Sequence, residues 1–150
     1  MKAIKSAVFL SLIVIFLLPG CEKSSSVWVT YHQDGDGNVY LYDKTKIKKD
    51  LENRTVQVWA KQLYSDEGRT IELQSRIKDG LTIEGYDRLA YKICRYEIDC
   101  GKQGVTILSI SHFDKDGKSL YFGVDKGERK MFHINPDSVS GSLFTEVCSR

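Results

Sequence analysis

The sequence lacks the motifs that mark the common enzyme classes. It contains no Gly-x-Ser-x-Gly elbow, no His-Glu-x-x-His pair, no glycine-rich phosphate loop and no Cys-x-x-Cys pair. Its three histidines, His32, His112 and His133, fall in three separate predicted strands, so ordinary structural histidines are far more common in this setting than a metal site. We therefore expect a protein that is not an enzyme and that uses no cofactor or metal ion.

A net charge is also missing from the part of the chain that follows the N-terminal segment. Of the 22 Lys and Arg, Lys2 and Lys5 belong to that segment, and the remaining 20 equal the 20 Asp and Glu, all of which lie later. A neutral chain of mixed sign creates no field that attracts a polyanion. Nucleic acid is therefore not an expected partner.

Long apolar runs are absent as well. The longest, Ala7 to Leu18, is interrupted only by Ser11 and follows Lys2 and Lys5. Its length is well short of the about 20 residues that a membrane-spanning helix needs. A basic start, a short apolar stretch and a small residue at the end predict a cleaved export signal over residues 1–20.

The end of this run resembles a bacterial lipoprotein signal. In Leu18-Pro19-Gly20-Cys21, leucine stands three positions before the cysteine and glycine directly before it. The resemblance implies that Cys21 is acylated and anchors the protein to a membrane, with residues 21–26 as a tether. An aspartate directly after the cysteine would imply retention at the inner membrane. Glu22 stands there instead, which implies the outer membrane, on its periplasmic side or at the cell surface. The alternative is an ordinary secretory signal that leaves Cys21 as a plain thiol.

Three further cysteines, Cys94, Cys100 and Cys148, follow the export signal. An oxidising compartment favours a structural disulfide, and an odd count leaves one cysteine over. Cys94 and Cys100 lie on the same face of one predicted strand, about 20 Å apart at the rise of a strand. They are too far apart to bond to each other.

The sequence pattern over residues 27–150 predicts one α+β domain with a single antiparallel sheet of about six strands and a C-terminal helix on one face. Residues 70–86 fit a helix and a broken strand about equally, and we expect only a helical turn at Leu73 to Lys78. Ser65 to Gly68 is expected to end the preceding strand. The predicted strands are 27–32, 39–42, 55–64, 89–100, 105–113 and 120–124, with a weaker one at 130–134 and a charged connection over 44–53.

The segment Gln33 to Asn38 predicts a hairpin turn. Its Asp34, Asp36 and Asn38 have the spacing of a calcium loop, but Val39 and Thr45 stand where such a loop requires Gly and Glu. Asp, Gly and Asn are the residues that tight turns favour, so a turn is the preferred interpretation.

In the last predicted element, the spacing of apolar residues changes from two, as in the strands, to three and four. Pro136 to Cys148 carries apolar residues at intervals of three and four and predicts an amphipathic helix, with Asn135 as its cap. Ser140-Gly141-Ser142 is expected to allow close packing of this helix. Cys148 lies on its apolar stripe, positioned to reach the sheet.

Several short motifs follow one another along the chain: Trp28, Tyr42-Asp43, Val58-Trp59, Ile98-Asp99-Cys100, a hairpin with Gly117, Ile134-Asn135-Pro136-Asp137-Ser138 and Val147-Cys148. In this order and spacing they resemble the surface-adhesin protein E-like domain of bacterial lipoproteins. The resemblance covers most of residues 27–149 and implies the sheet-and-helix fold together with a disulfide between Cys100 and Cys148. Cys94 has no place in the pattern and is expected to be a buried apolar side chain, the alternatives being disulfide exchange with Cys100 or an intermolecular bridge. Phe132 also departs from the family pattern, because a tryptophan is more usual at this position.

The predicted function is binding of another protein. Tyr40, Tyr42, Trp59 and Tyr91 fall on faces opposite the predicted core residues of their strands, and exposed aromatic residues are enriched at interfaces. The alternative is that these rings fill a second core. The family resemblance implies a surface adhesin for host or extracellular proteins. Other candidates are an assembly lipoprotein with periplasmic partners, a small-molecule binder with a pocket under the helix, and a protein that pairs with a second copy of itself.

Overall fold

A computed structural model describes residues 25–124, 127 and 129–149. The predicted export signal, the lipidation site Cys21 and most of the tether lie outside the described residues.

The fold is one antiparallel sheet with two helices, which confirms the predicted class. Six strands form its main order, β1-β2-β4-β5-β6-β7, while β3 pairs with β4 and β8 pairs with β6. A short 3₁₀ turn, Tyr86–Arg88, precedes β5. The strands are β1 (Trp28–Gln33), β2 (Val39–Asp43), β3 (Lys48–Asp50), β4 (Thr55–Leu63), β5 (Leu89–Asp99), β6 (Gly104–Asp114), β7 (Ser119–Val124) and β8 (Met131–His133), and the helices are α1 (Asp66–Lys78) and α2 (Val139–Cys148).

Strand alternation divides the sheet into two faces. β4 and β5 pair without interruption from Thr55 opposite Asp99 to Leu63 opposite Tyr91. Because successive side chains point to opposite sides, this register fixes two sets of residues. The helix face carries Val58, Ala60, Cys94 and Ile98. The open face carries Trp59, Lys61, Tyr91 and Arg95.

The apolar core lies between the helix face and α2. From α2, Leu143 and Val147 are 2% and 1% exposed, and their spacing of four residues matches the predicted apolar stripe. Burial of such side chains contributes about 1.5–3 kcal/mol each. The core residues are Tyr42, Val56, Val58, Ala60, Ile98, Ile134, Leu143 and Val147.

A disulfide joins the end of β5 to the end of α2. Cys100 and Cys148 are bonded, with Cα atoms 5.7 Å apart, as the family resemblance implies. Cys94 is free and buried, in agreement with the expectation of a small apolar side chain. α2 is therefore held to the sheet both by apolar contact and by a covalent bond.

The prediction for α1 was wrong. The helix runs over Asp66–Lys78 instead of a single turn. β4 ends at Leu63, as predicted from the segment Ser65 to Gly68, and Ser65 caps the helix by accepting a hydrogen bond from the backbone N–H of Gly68. The side of α1 that packs inward carries Gly68 and Arg76, which are buried. Because these are not apolar residues, hydrophobic periodicity could not reveal the helix.

The start of α2 also differs from the prediction. Its cap is Ser138, whose hydroxyl accepts a hydrogen bond from the backbone N–H of Gly141, and Asn135 and Pro136 precede the helix. The expected close packing at Gly141 is present, because a Cβ there would lie 2.2 Å from the Pro136 carbonyl oxygen. The glycine thus allows the helix to sit against the loop that leads into it.

The turn between β1 and β2 is organised by a carboxylate. Asp34 Oδ1 accepts hydrogen bonds from the backbone N–H groups of Asp36 and Asn38, while Oδ2 accepts from the Asn38 side chain and the Tyr40 hydroxyl. These bonds lower the pKa of Asp34 although burial acts in the opposite direction. The geometry agrees with the interpretation of this segment as a turn.

Candidate protein-binding surface

The open face carries aromatic rings next to cations. The Arg95 guanidinium carbon lies 5.9 Å from the centroid of the Trp59 ring. Lys61 Nζ lies 4.3 Å from the centroid of the Tyr91 ring and 5.5 Å from that of the Trp28 ring. Such contacts stabilise exposed pairs by about 0.5–1 kcal/mol and fix the orientation of the rings.

Cross-strand register produces this arrangement. Trp59 on β4 is paired with Arg95 on β5, and Tyr91 on β5 lies near Phe113 on β6. The Tyr91 and Phe113 rings are stacked, with centroids 4.9 Å apart and planes inclined by 18°. Farther along the face, Phe122 on β7 is 67% exposed. The aromatic side chains therefore form one surface that spans four neighbouring strands.

A chain of polar contacts crosses the open face next to Trp59. Arg95 donates to Gln57 Oε1, and the Gln57 amide donates to Glu97 Oε2 at 2.9 Å. Arg129 donates to Glu97 Oε1 at 3.2 Å and forms an ion pair with it. These contacts hold Arg95 beside Trp59.

Neither helix packs on the open face. α2 contacts the helix face through Leu143 and Val147, which belong to the core. In α1, the guanidinium carbon of Arg76 lies 4.0 Å from the centroid of the Tyr86 ring, and Tyr86 bonds to His112, on the helix face. Within the described residues, the open face is therefore not covered by another element.

The four predicted binding residues divide between the two faces. Trp59 and Tyr91 lie on the open face, partly exposed, and their role in binding stays a prediction. The prediction for Tyr42 was wrong, because it is 1% exposed and belongs to the core. Tyr40 also lies on the helix face, where its hydroxyl donates to Asp34. The reason is the register of β2, which pairs Tyr40 with Gln62 and Tyr42 with Ala60.

A cleft of about 530 Å³ lies between α2 and the helix face, and sequence analysis did not identify its residues as a set. Ile107 and Phe132, which are 39% and 46% exposed, contribute to its lining. The free thiol of Cys94 also lines it, and burial raises the pKa of that thiol. The charged residue Lys92 among the core-facing positions of β5 was the signal available in the sequence.

The three histidines remain on separate strands. His32 Nδ1 lies 3.0 Å from the Ser142 hydroxyl of α2, and His112 is buried against Tyr86. Among the described residues, no three His, Cys, Asp or Glu side chains are grouped as metal ligands. In the same part of the chain, no helix has the length and apolar character needed to cross a membrane.

This structure defines a small disulfide-bonded α+β domain whose sheet is covered by helices on one side. Residues 28–149 match the model of the surface-adhesin protein E family, and the chain belongs to that family.

Solved structures of Haemophilus influenzae protein E are similar in fold. One crystal structure has a TM-score of 0.50 and 12% sequence identity, and covers 81% of this chain and 83% of that one. A second crystal form has a TM-score of 0.54 and 13% identity, with coverage of 81% and 87%. At this identity the likeness establishes the fold alone. A search of curated proteins returned no match.

Proposed function

We propose that this protein is a non-enzymatic, lipid-anchored adhesin of the outer membrane that binds a host or extracellular protein through the open face. The observation that carries the proposal is that the open face holds partly exposed aromatic rings and cations and is not covered by either helix. Interface centres are enriched in Trp, Tyr and Arg. Membership of a surface-adhesin family supports exposure at the cell envelope.

Trp59 and Tyr91 are the expected anchor residues. Each ring is already held by a neighbour, Trp59 by Arg95 and Tyr91 by Phe113. Because little side-chain freedom remains to be lost, contact with a partner costs less conformational entropy than it would for free side chains.

The binding test uses cells that display the full chain and immobilised extracellular-matrix and plasma proteins. We expect Trp59→Ala and Tyr91→Ala each to weaken binding about 30-fold, the loss typical of an interface hot spot. Ile77→Ala is the matched control, because Ile77 is 57% exposed on α1 and away from the open face. Equal binding by all three variants would contradict the assignment of the site.

Membrane attachment is tested separately. Acylation of Cys21 predicts that the chain incorporates labelled palmitate and fractionates with membranes, whereas Cys21→Ser does neither. Residues 21–26 then place the domain close to the membrane surface. Membrane fractionation of Cys21→Ser without any acyl label would refute the lipid anchor.

A second candidate function is an assembly role with periplasmic partners. A third is self-association, in which a second copy of the chain binds the open face. Protease treatment of intact cells separates the first two, because a domain that is protected from protease faces the periplasm. Sedimentation of the purified protein tests the third. A dimer that Trp59→Ala converts to a monomer would assign the open face to self-association.

A further inference from the structure

The cleft between α2 and the helix face has the dimensions of a small-molecule site. Its volume of about 530 Å³ lies within the range typical of ligand pockets, about 300–1,000 Å³. Along β5 its lining extends from Lys92 to Ile98, a distance of about 20 Å at the rise of a strand. The site is therefore long enough for an extended chain.

One end of the cleft is apolar. Ile98, Val105 and Ile107 line it from β5 and β6, and Leu143 lines it from α2. Phe132 is 46% exposed, so the site is open to solvent on this side. A ligand that occupies this end must present an apolar body.

The opposite end of the cleft is lined by polar groups. Gln62 is 7% exposed, and its side-chain amide lines the cleft. Tyr31 also lines the cleft, and burial raises the pKa of Tyr31, so its hydroxyl stays protonated as a donor. The amide and the hydroxyl can therefore donate hydrogen bonds to an acceptor that occupies this end of the cleft.

The charge at this end is positive. The lining contains Lys61 and Lys92 and no carboxylate. Because the Lys61 ammonium lies over Tyr91 on the open face, Lys92 is the cation available to the cleft. Lys92 Nζ lies 5.9 Å from the centroid of the Tyr64 ring, and Lys92 forms no ion pair with a described residue. Gln62 and Lys92 are directly paired across β4 and β5, so their side chains reach the same point.

We propose that this cleft binds a fatty carboxylate, with the head group at Lys92 and Gln62 and the acyl chain along Ile98, Ile107 and Leu143. A carboxylate accepts hydrogen bonds from the ammonium, amide and hydroxyl groups that line this end. The apolar body displaces water from the other end. This binding is separate from the proposed adhesion, because it uses the opposite side of the sheet.

The test is photolabelling of the full chain in membranes with a dodecanoate that carries a diazirine at its tail. We expect adducts on residues 96–107 and 132–143, and competition by dodecanoate but not by dodecanol or dodecyltrimethylammonium. Lys92→Met should reduce labelling about tenfold, the effect of a lost charged hydrogen bond. Lys115→Met is the matched control, because Lys115 is exposed and does not line the cleft, and it should leave labelling unchanged.

A second variant tests the volume of the site. Val139→Trp places a large ring in the cleft lining and should abolish labelling, while thermal unfolding checks that the domain stays folded. Adducts on the open face, equal competition by dodecanol, or full labelling of Lys92→Met would overturn the proposal. Trp59→Ala should not alter labelling, so failure of this site and failure of the adhesion site are distinguishable.

Discussion

Acidification should destabilise the domain through one buried histidine. His112 is 3% exposed, its Nδ1 lies 2.9 Å from the Tyr86 hydroxyl, and its Nε2 has no hydrogen-bond partner in the described part of the chain. Burial, with smaller contributions from the positive charges of Lys92 and Arg76, lowers the pKa of His112 from 6.5 to about 4. The imidazolium form is therefore strongly disfavoured in the folded state.

The sign and size of the effect follow from linkage. Because the folded-state pKa is lowered, the unfolded chain takes up a proton first, and stability is complete above pH 6.5 and falls as the pH decreases toward 4. At about 1.4 kcal/mol per pKa unit, the free energy of unfolding should be lower by about 2 kcal/mol at pH 5 and by about 3 kcal/mol at pH 4. Carboxylates with lowered pKa values, such as Asp34 and Asp114, lose their contribution only at still lower pH.

Urea denaturation between about pH 7.5 and pH 4.5 measures this dependence. His112→Gln keeps a polar group beside Tyr86 but cannot be protonated, so its stability should change little over this range. His133→Gln is the matched control, because His133 is exposed and should retain the full dependence. A stability that is constant with pH in the unaltered protein, or an undiminished slope in His112→Gln, would refute the reasoning.

Two further predictions concern α2. Replacement of both Cys100 and Cys148 by serine opens a loop with a sequence separation of 48 residues and should lower the free energy of unfolding by about 4 kcal/mol in urea denaturation, with Cys94→Ser as the single-cysteine control. Equal stability of the oxidised and reduced protein would count against this. Gly141→Ala forces a Cβ against the Pro136 carbonyl and should lower the free energy of unfolding by about 1–3 kcal/mol. Gly35→Ala, where a Cβ meets nothing within 4 Å, is its control, and an equal effect of both changes would show that the close approach does not matter.

The sheet could be predicted because its central strands alternate clearly. Val56, Val58 and Ala60 are buried on β4 while the residues between them are partly exposed, and this period of two is visible in the sequence. The same regularity predicted which side of β5 faces the core. Local pattern was sufficient wherever one face of an element is uniformly apolar.

Features that depend on long-range register could not be predicted. β2 reads as apolar or aromatic on both sides, so only its pairing with β4 decides that Tyr42 enters the core. In α1, Ile71 and Ile77 are 45% and 57% exposed while Arg76 is buried against Tyr86. The tertiary contact overrides the apolar pattern, and the helix was therefore missed.

The cleft required the same long-range information. Gln62 and Lys92 are separated by 30 positions and meet because β4 and β5 are paired. Each side chain alone is unremarkable in the sequence. Their common position in the cleft lining is a property of the folded chain.

The position of the disulfide determines how the cleft can change in width. The covalent bond is at Cys148, at the last position of α2, whereas Val139 and Ser140, which line the cleft, are at its first turn. These ends of the helix are about 14 Å apart at the rise of an α-helix. A rotation of α2 about its covalently bonded C-terminal end would displace Val139 the most, so the cleft would widen at the end of the helix that is held without a covalent bond.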